Sequence, residues 1–402
     1  DEAYGVNSAN MVIIQLLSVL EDKRDRIAVV FGGYKADVEK LFEQNDGLMS
    51  RVPTRLQLPD YDDDQLHSIA WHFFIQDARQ GRRGKVYCFK DDAARKALRT
   101  EIRLVGMGRN REGFGNARDA RSLFERIKDR HVSRTASVPE DRFCLASEDI
   151  LRPPPRQLDE CEAWKKLESM IGLEKIKADI LDLKNMAFVN YSRVLEGKPL
   201  LPIKLNRVLQ GNPGTGKTTV ARLYGQILKH LGLLSKGDFI EKAPSDFVGA
   251  WMGHSEMQTR GILKSAKGCC LFIDEAYGLN PHTKGSVDRF RTAVIDTLVG
   301  NIFNEPGADI CVLLAGYQDE LEEFFRLGNP GLEGRFNYND PFNFPDYTDD
   351  QLGEILRGEV RGTGVEITPD GFRAALKLLG EQRDSTTHFG NAREVLNLLS
   401  SA

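Results

Sequence analysis

Apolar positions along this 402-residue chain repeat with two periods. Short continuous runs at 205–209, 239–241, 270–273, 309–315 and 341–344 predict buried strands. Between them the apolar residues fall three or four apart. Val220, Leu223, Tyr224, Ile227, Leu228 and Leu231 share one helix face, and Ile176, Ile180, Leu183 and Ala187 mark a leading helix from Leu173. Strands alternating with helices predict an α/β domain, a parallel sheet with helices on both faces. From Thr348 to Ser401 the pattern is helical, with Phe372, Ala375, Leu376 and Leu379 on one face, as in a compact lid.

The loop after the first of these strands carries the chemistry. Gly211, Asn212, Pro213, Gly214, Thr215, Gly216, Lys217, Thr218 and Thr219 have the P-loop spacing, with a strand before and a helix after. Glycines let backbone N–H groups close around phosphates, and the helix N-terminus adds a positive dipole end. Lys217 is expected to reach the β- and γ-phosphates of ATP, and the Thr218 hydroxyl to ligate Mg²⁺. Cys269–Ile273 reads as a buried strand ending in Asp274 and Glu275. In P-loop ATPases such a pair holds Mg²⁺ (Asp274) and polarises the attacking water (Glu275).

The first third of the chain echoes the last. Asp1-Glu2-Ala3-Tyr4-Gly5 recurs as Asp274–Gly278, Gly33-Tyr34 as Gly316-Tyr317, and Pro59-Asp60-Tyr61 as Pro345-Asp346-Tyr347. Phe114-Gly115-Asn116-Ala117-Arg118 recurs as Phe389–Arg393, and the offset drifts only from 273 to 286. The first copy lacks a P-loop and everything upstream of its acidic pair, so it is expected not to bind ATP as it stands. The predicted domains are 1–134 (partial sheet 1–59 with a buried strand at Ile27–Phe31, helical lid 60–134), a linker 135–160 containing Pro153-Pro154-Pro155, a large subdomain 161–345 and a lid 346–402. Missing sheet neighbours predict marginal stability for residues 1–60.

Composition narrows the setting. Apolar residues make up 41% and charged residues 28%, and the net charge is −4. There is no membrane-length apolar run and no signal-peptide layout. Six cysteines without C-x-x-C pairs read as buried thiols of an intracellular, most simply cytoplasmic, protein, a nucleus being compatible. Residues 79–130 hold 16 Lys and Arg against 7 Asp and Glu, leaving −13 elsewhere. That basic stretch would suit nucleic acid or an acidic partner, but its aromatics are too few for a stacking platform, and a solvated face is the simpler reading.

Taken together, the Gly211–Thr219 loop, Phe272–Tyr277, Leu314–Tyr317, Asn329–Leu332, Phe344–Tyr347 and Asn391–Arg393 resemble the AAA+ ATPase family that contains stage V sporulation protein K and the red-type Rubisco activases. The resemblance covers roughly 167–400, with an echo over 1–133. It implies a P-loop module of strand order 5-1-4-3-2 with a helical lid, preceded by the C-terminal part of a second module. It also implies a homo-oligomeric, hexameric ring with nucleotide between neighbours. Arg335 falls at the arginine-finger position, the alternative being a surface pair with Glu333 or Asp340. Arg393 matches the lid arginine that contacts the γ-phosphate, with a helix-face salt bridge as the alternative. Ile171-Gly172 resembles the turn that packs on adenine. Trp251, Met252 and Gly253 resemble the pore loop that grips an extended polypeptide, against the alternative of a core tryptophan. Tyr317 departs from the Asn or Thr that many relatives carry at sensor 1, and packing is its simpler role.

The resemblance implies an ATPase that remodels or threads a protein substrate. A nucleotide-dependent scaffold and a nucleic-acid motor are the alternatives. The tandem arrangement departs from the single-module activases.

Overall fold

The structure is a computed structural model that describes residues 2–401 except 34–37, 40, 43–45, 81–85, 111–113, 137–141, 252, 284–285, 305–307 and 364–366. Asp1, Tyr34 and Met252 therefore lie outside the described residues. The chain divides into two compact units, Asp1–Tyr61 and Asp62–Ala402.

In the first unit the described secondary structure is helical: α1 (Glu2–Asp22) and a short α2 (Asp46–Arg51). The predicted strand is absent. Residues 27–33 are irregular, and Val30 is 91% exposed. A continuous apolar run becomes a buried strand only where neighbouring strands accept its hydrogen bonds, and none are described here. The repeated Ala3-Tyr4-Gly5 also differs, being α-helical here and a 3₁₀ turn at Ala276–Leu279. The core is small, with Ile13, Phe42 and Leu48 buried, and Arg51 pairs with Glu21 at 2.9 Å.

The second unit opens with a helical bundle. It comprises α3 (Asp63–Gln80), β1 (Cys88–Phe89), α4 (Asp92–Gly106), α5 (Ala117–Thr135), β2 (Cys144–Leu145) and α6 (Ser147–Ile150). Asp91 caps α4 by accepting from the Ala94 N–H at 2.8 Å. The segment expected as a linker is built into the fold. Leu145 and Ile150 complete the bundle core, and Leu158 joins the core of the next subdomain. Arg134 donates to the buried Asp149 carboxylate at 2.7 Å, and His131 Nδ1 lies 2.9 Å from it.

Next come α7 (Glu162–Glu168) and α8 (Glu174–Leu195), then β3 (Arg207–Gly211), α9 (Lys217–His230), β4 (Phe239–Lys242), α10 (His254–Ser265) and β5 (Cys270–Ile273). They are followed by α11 (Arg289–Asn301), β6 (Cys311–Gly316), α12 (Gln318–Leu327), α13 (Gly331–Arg335) and β7 (Phe342–Phe344). These five strands pair in parallel in the order β4-β5-β6-β3-β7, the expected 5-1-4-3-2 read from the other edge. Side chains alternate between two cores, as successive residues of a strand must. Cys270 and Phe272 face α7, α8 and α9, whereas Leu271 and Ile273 face α10, α11 and α12. Because β3 lies between β6 and β7, the chain reverses its direction of travel across the sheet there. The carboxyl end of such a strand is where open α/β sheets present ligand sites.

The chain closes with α14 (Asp349–Thr363), α15 (Pro369–Ser385) and α16 (Ala392–Ser401) around Leu352, Leu356, Leu379 and Phe389. This bundle matches the first. Leu66, Ala70 and Phe74 are buried on α3 where Leu352, Leu356 and Val360 are buried on α14, each pair 286 positions apart. Both helices begin with the same reciprocal cap. Gln65 N–H donates to Asp62 Oδ1 at 2.7 Å while Asp62 N–H donates to Gln65 Oε1 at 3.0 Å; Thr348 and Gln351 do the same at 3.3 and 2.9 Å.

Candidate active site

β3 ends in the glycine loop, where Gly211 and Gly214 leave no room for a side chain and Gly216 holds a left-handed backbone. Gly211 pairs with Phe344, and a Cβ there would meet the Phe344 carbonyl at 2.2 Å. Gly214 (φ +70°) would place its Cβ 2.0 Å from the Gly390 carbonyl. Gly216 (φ +96°) occupies the N-cap of α9, which has neither a side-chain cap nor an acidic first turn. The first N–H groups of that helix are therefore left for an outside acceptor.

Lys217 bends back over the loop, donating to the Gly211 and Asn212 carbonyls at 2.6 and 2.8 Å. Burial lowers its pKa and the Arg393 charge adds to this, while Asp274 and Asp346 oppose it. A desolvated ammonium in a carbonyl-lined cradle is poised to exchange these acceptors for an anion. Asp274 follows β5 and accepts from the Glu275 N–H at 3.0 Å. Glu275 is exposed with a left-handed backbone, φ 49° and ψ 43°, an arrangement that costs energy outside glycine. Lys217, Asp274 and Arg393 are thus brought together at one end of the sheet. The Ile171-Gly172 turn is close by. Gly172 and Leu173 are both left-handed, and a Cβ on Gly216 would lie 3.4 Å from Met170 Cε.

The sequence marked neither of two further features of this site. The first is a clasp from the lid. Asn212 donates to both Asp346 oxygens at 2.9 Å. Asn391 donates to the same carboxylate at 2.7 Å and to the Pro213 carbonyl at 3.3 Å, and it accepts from the Tyr347 N–H at 2.9 Å. The Tyr347 hydroxyl donates to the Thr215 carbonyl at 3.2 Å, and Ala392 N–H to that of Gly214 at 3.3 Å. The repeated Pro-Asp-Tyr and Gly-Asn-Ala-Arg motifs contained these residues without disclosing their role. The second is a column of rings. Tyr277 stacks on Tyr317 at 5.8 Å, and Tyr317 on His388 at 4.3 Å. His388 Nδ1 in turn lies 3.4 Å from Asn212 Oδ1. The column runs from beside Glu275, through the sensor 1 position, to the lid. Burial, then the Glu275 charge, pushes the Tyr277 phenol up to about 12, so it remains a donor.

Arg335 lies elsewhere. Its guanidinium donates to the Val299 carbonyl at 3.0 Å and lies over Phe303, so neither Glu333 nor Asp340 holds it; Asp340 pairs with Lys175. Trp251 is not a core residue. It is 58% exposed, on a loop whose buried anchor is Phe247 and whose Gly249 N–H donates to Ser255 Oγ at 3.0 Å.

A parallel five-stranded sheet of this order, a P-loop at its reversal point, an acidic pair on the next strand but one and a helical lid define a P-loop ATPase of the AAA type. Residues 207–329 match the ATPase family associated with various cellular activities (AAA), and residues 84–159 and 348–402 match the AAA lid domain. The chain belongs to this family, and it is an ATPase. Within the family it is similar to stage V sporulation protein K of Bacillus subtilis (strain 168), 35% identical over 243 residues that cover 60% of this chain and 73% of that protein. It is also similar to Protein CbbX of Cereibacter sphaeroides, 34% identical over 233 residues covering 58% and 73%. A chloroplastic ribulose bisphosphate carboxylase/oxygenase activase of Cyanidioschyzon merolae is 34% identical over 233 residues, covering 58% and 77%. Among the described residues no helix is long and apolar enough to cross a membrane.

Proposed function

We propose that this chain uses ATP hydrolysis to pull on a protein substrate, as a ring in which each Arg335 completes a neighbour's site. The observation that carries the reading is Trp251. A large aromatic held 58% exposed on an anchored loop offers contact area at little entropic cost and makes no demand on sequence. The names of the relatives, a Rubisco activase among them, agree with a protein substrate.

In the cradle, backbone N–H groups of the loop and α9 bind the phosphates and Lys217 neutralises their charge. A magnesium ion held by Thr218 and Asp274 would supply further charge neutralisation on the phosphate oxygens. Glu275 orients and polarises the attacking water. Arg393, beside Lys217, makes lid position sensitive to the γ-phosphate. The ring column gives Tyr317 a part in this, carrying lid movement to the turn beside Glu275. Arg335 is held at α11, away from the P-loop partners named above, which favours a finger given to a neighbour. A finger in trans is worth about 10³–10⁵ in rate.

The nucleic-acid alternative is disfavoured by where the basic stretch spends its charge. Arg109 pairs with Asp63, Lys128 with Asp77, and Arg130 donates to the Asp149 and Ile150 carbonyls at 2.7 Å.

Trp251→Ala is expected to abolish remodelling of an unfolded model protein while leaving basal ATPase near wild type. Unchanged remodelling refutes the pulling mechanism and leaves the scaffold reading. Mixing Arg335→Ala with Lys217→Ala chains tests the finger, because each lacks what the other supplies. Activity recovered on mixing supports a finger in trans, and no recovery refutes it.

A further inference from the structure

Two of the six cysteines do not behave as buried thiols. Cys88 on β1 and Cys144 on β2 are direct partners in a parallel strand pair, and their Sγ atoms lie 3.1 Å apart. Cys88 is exposed and Cys144 half-buried. Neighbouring strands run about 4.7–4.9 Å apart, inside the roughly 4.4–6.8 Å Cα range that a disulfide spans. Side-chain rotation alone therefore closes the bond.

A second registered pair shows what is special about the first. Cys270 and Cys311 are also direct partners, on β5 and β6, but both are fully buried in the central sheet. Their thiols donate to different carbonyls, Cys270 to Ala221 and Cys311 to Leu205. Proximity exists at both places; access exists only at Cys88.

We propose that Cys88 and Cys144 are a reversible disulfide site that exchanges with low-molecular-weight disulfides. The Cys88 thiolate attacks one sulfur of the small disulfide, forming a mixed disulfide and releasing one small thiol. The Cys144 thiolate then attacks Cys88 Sγ and expels the second small thiol. Two protein thiols are oxidised and one small disulfide is reduced, so two electrons and two protons pass to it. The bond closes a loop of 57 residues that carries α4 and α5. Arg103 on α4 donates to the Gly197 carbonyl just beyond α8, so the staple stiffens the helix that touches the ATPase subdomain. The hydrogen bond with Cys144, followed by burial, raises the Cys88 thiol pKa, so exchange quickens as pH rises.

The test uses the full chain, without denaturant, in buffers of glutathione and glutathione disulfide, followed by alkylation and peptide mass mapping. One Cys88–Cys144 cross-linked peptide is expected, reversed by dithiothreitol, with the other four thiols unpaired. Cys88→Ser and Cys144→Ser, checked for folding by circular dichroism, should each show no cross-link and a glutathione adduct on the remaining cysteine. Oxidation should raise the thermal midpoint of this bundle by roughly 5–10 °C in the wild type and leave Cys88→Ser unmoved. Freely alkylated Cys88 and Cys144 in fully oxidised buffer, or either one paired with another cysteine, overturns the proposal.

Discussion

Asn391→Ala should loosen the lid from the P-loop, and the structure sets the size of the effect. Asn391 is fully buried, with φ 50°. Its amide donates to Asp346 at 2.7 Å, to Phe389 at 3.0 Å and to Pro213 at 3.3 Å, and accepts from the Tyr347 N–H at 2.9 Å. A bond to a charged carboxylate contributes about 1.5–3 kcal/mol net and a neutral one about 0.5–1.5. Alanine in a left-handed backbone adds about 1 kcal/mol, which asparagine largely escapes. After relaxation the loss is about 3 kcal/mol, or roughly 6–12 °C in the melting midpoint of a domain of this size. Differential scanning calorimetry reads the midpoint, and steady-state kinetics should show KM for ATP rising as the clasp opens. Asn391→Gly separates the two causes, since glycine accepts the backbone but not the bonds. It should regain only about 1 kcal/mol of the loss. If Asn391→Ala melts within about 2 °C of wild type with KM unchanged, the clasp does not hold the lid. If Asn391→Gly restores the wild type fully, strain and not bonding explains the site.

Lys217→Ala is expected to abolish ATP binding in an equilibrium titration, whereas Glu275→Gln should bind ATP and lose hydrolysis by about 10²-fold or more; normal turnover in Glu275→Gln removes it as the base. Acid stability should depend on Asp149. Burial tends to raise its pKa, but hydrogen bonds from Arg134, the Ala146 N–H and His131 outweigh that and hold it below the usual carboxylate range. A depressed folded pKa gives stability that is present above the unfolded value of about 3.9 and lost as pH falls through the folded one. The first bundle should therefore resist acid to about pH 4 and unravel below it by circular dichroism. Asn at this position should destabilise at neutral pH and flatten that acid transition, and an unchanged acid profile would refute the assignment.

What the sequence made legible was local. The glycine loop, the helix face from Val220 to Leu231 and the five strands are patterns within one element, and periodicity reports them directly. The clasp is not of that kind. Asp346, Asn391 and Asn212 lie in three separate segments, and only the closure of the lid on the loop makes their amides and carboxylate meet. The run at Ile27–Phe31 misled for the opposite reason. Its composition suits a strand, but strand identity belongs to the pairing and not to the run. Trp251 required the structure as well, because a lone tryptophan beside a helix start reads equally as anchor or as probe, and the anchor is Phe247.

The repeat separates what a lid needs from what a nucleotide needs. Asn116 in the first bundle holds φ 49°, matching the 50° of Asn391. The reciprocal caps at Gln65 and Gln351 and the buried triads on α3 and α14 match too. The left-handed turn thus stands at the entry to a helix in both bundles, before Ala117–Thr135 and before Ala392–Ser401. Asn391 adds contacts to the glycine loop itself: it donates to the Pro213 carbonyl, and the Gly390 carbonyl beside it crowds Gly214. Asn116→Ala should therefore cost the first bundle its backbone fit and leave KM for ATP unchanged, while Asn391→Ala changes both.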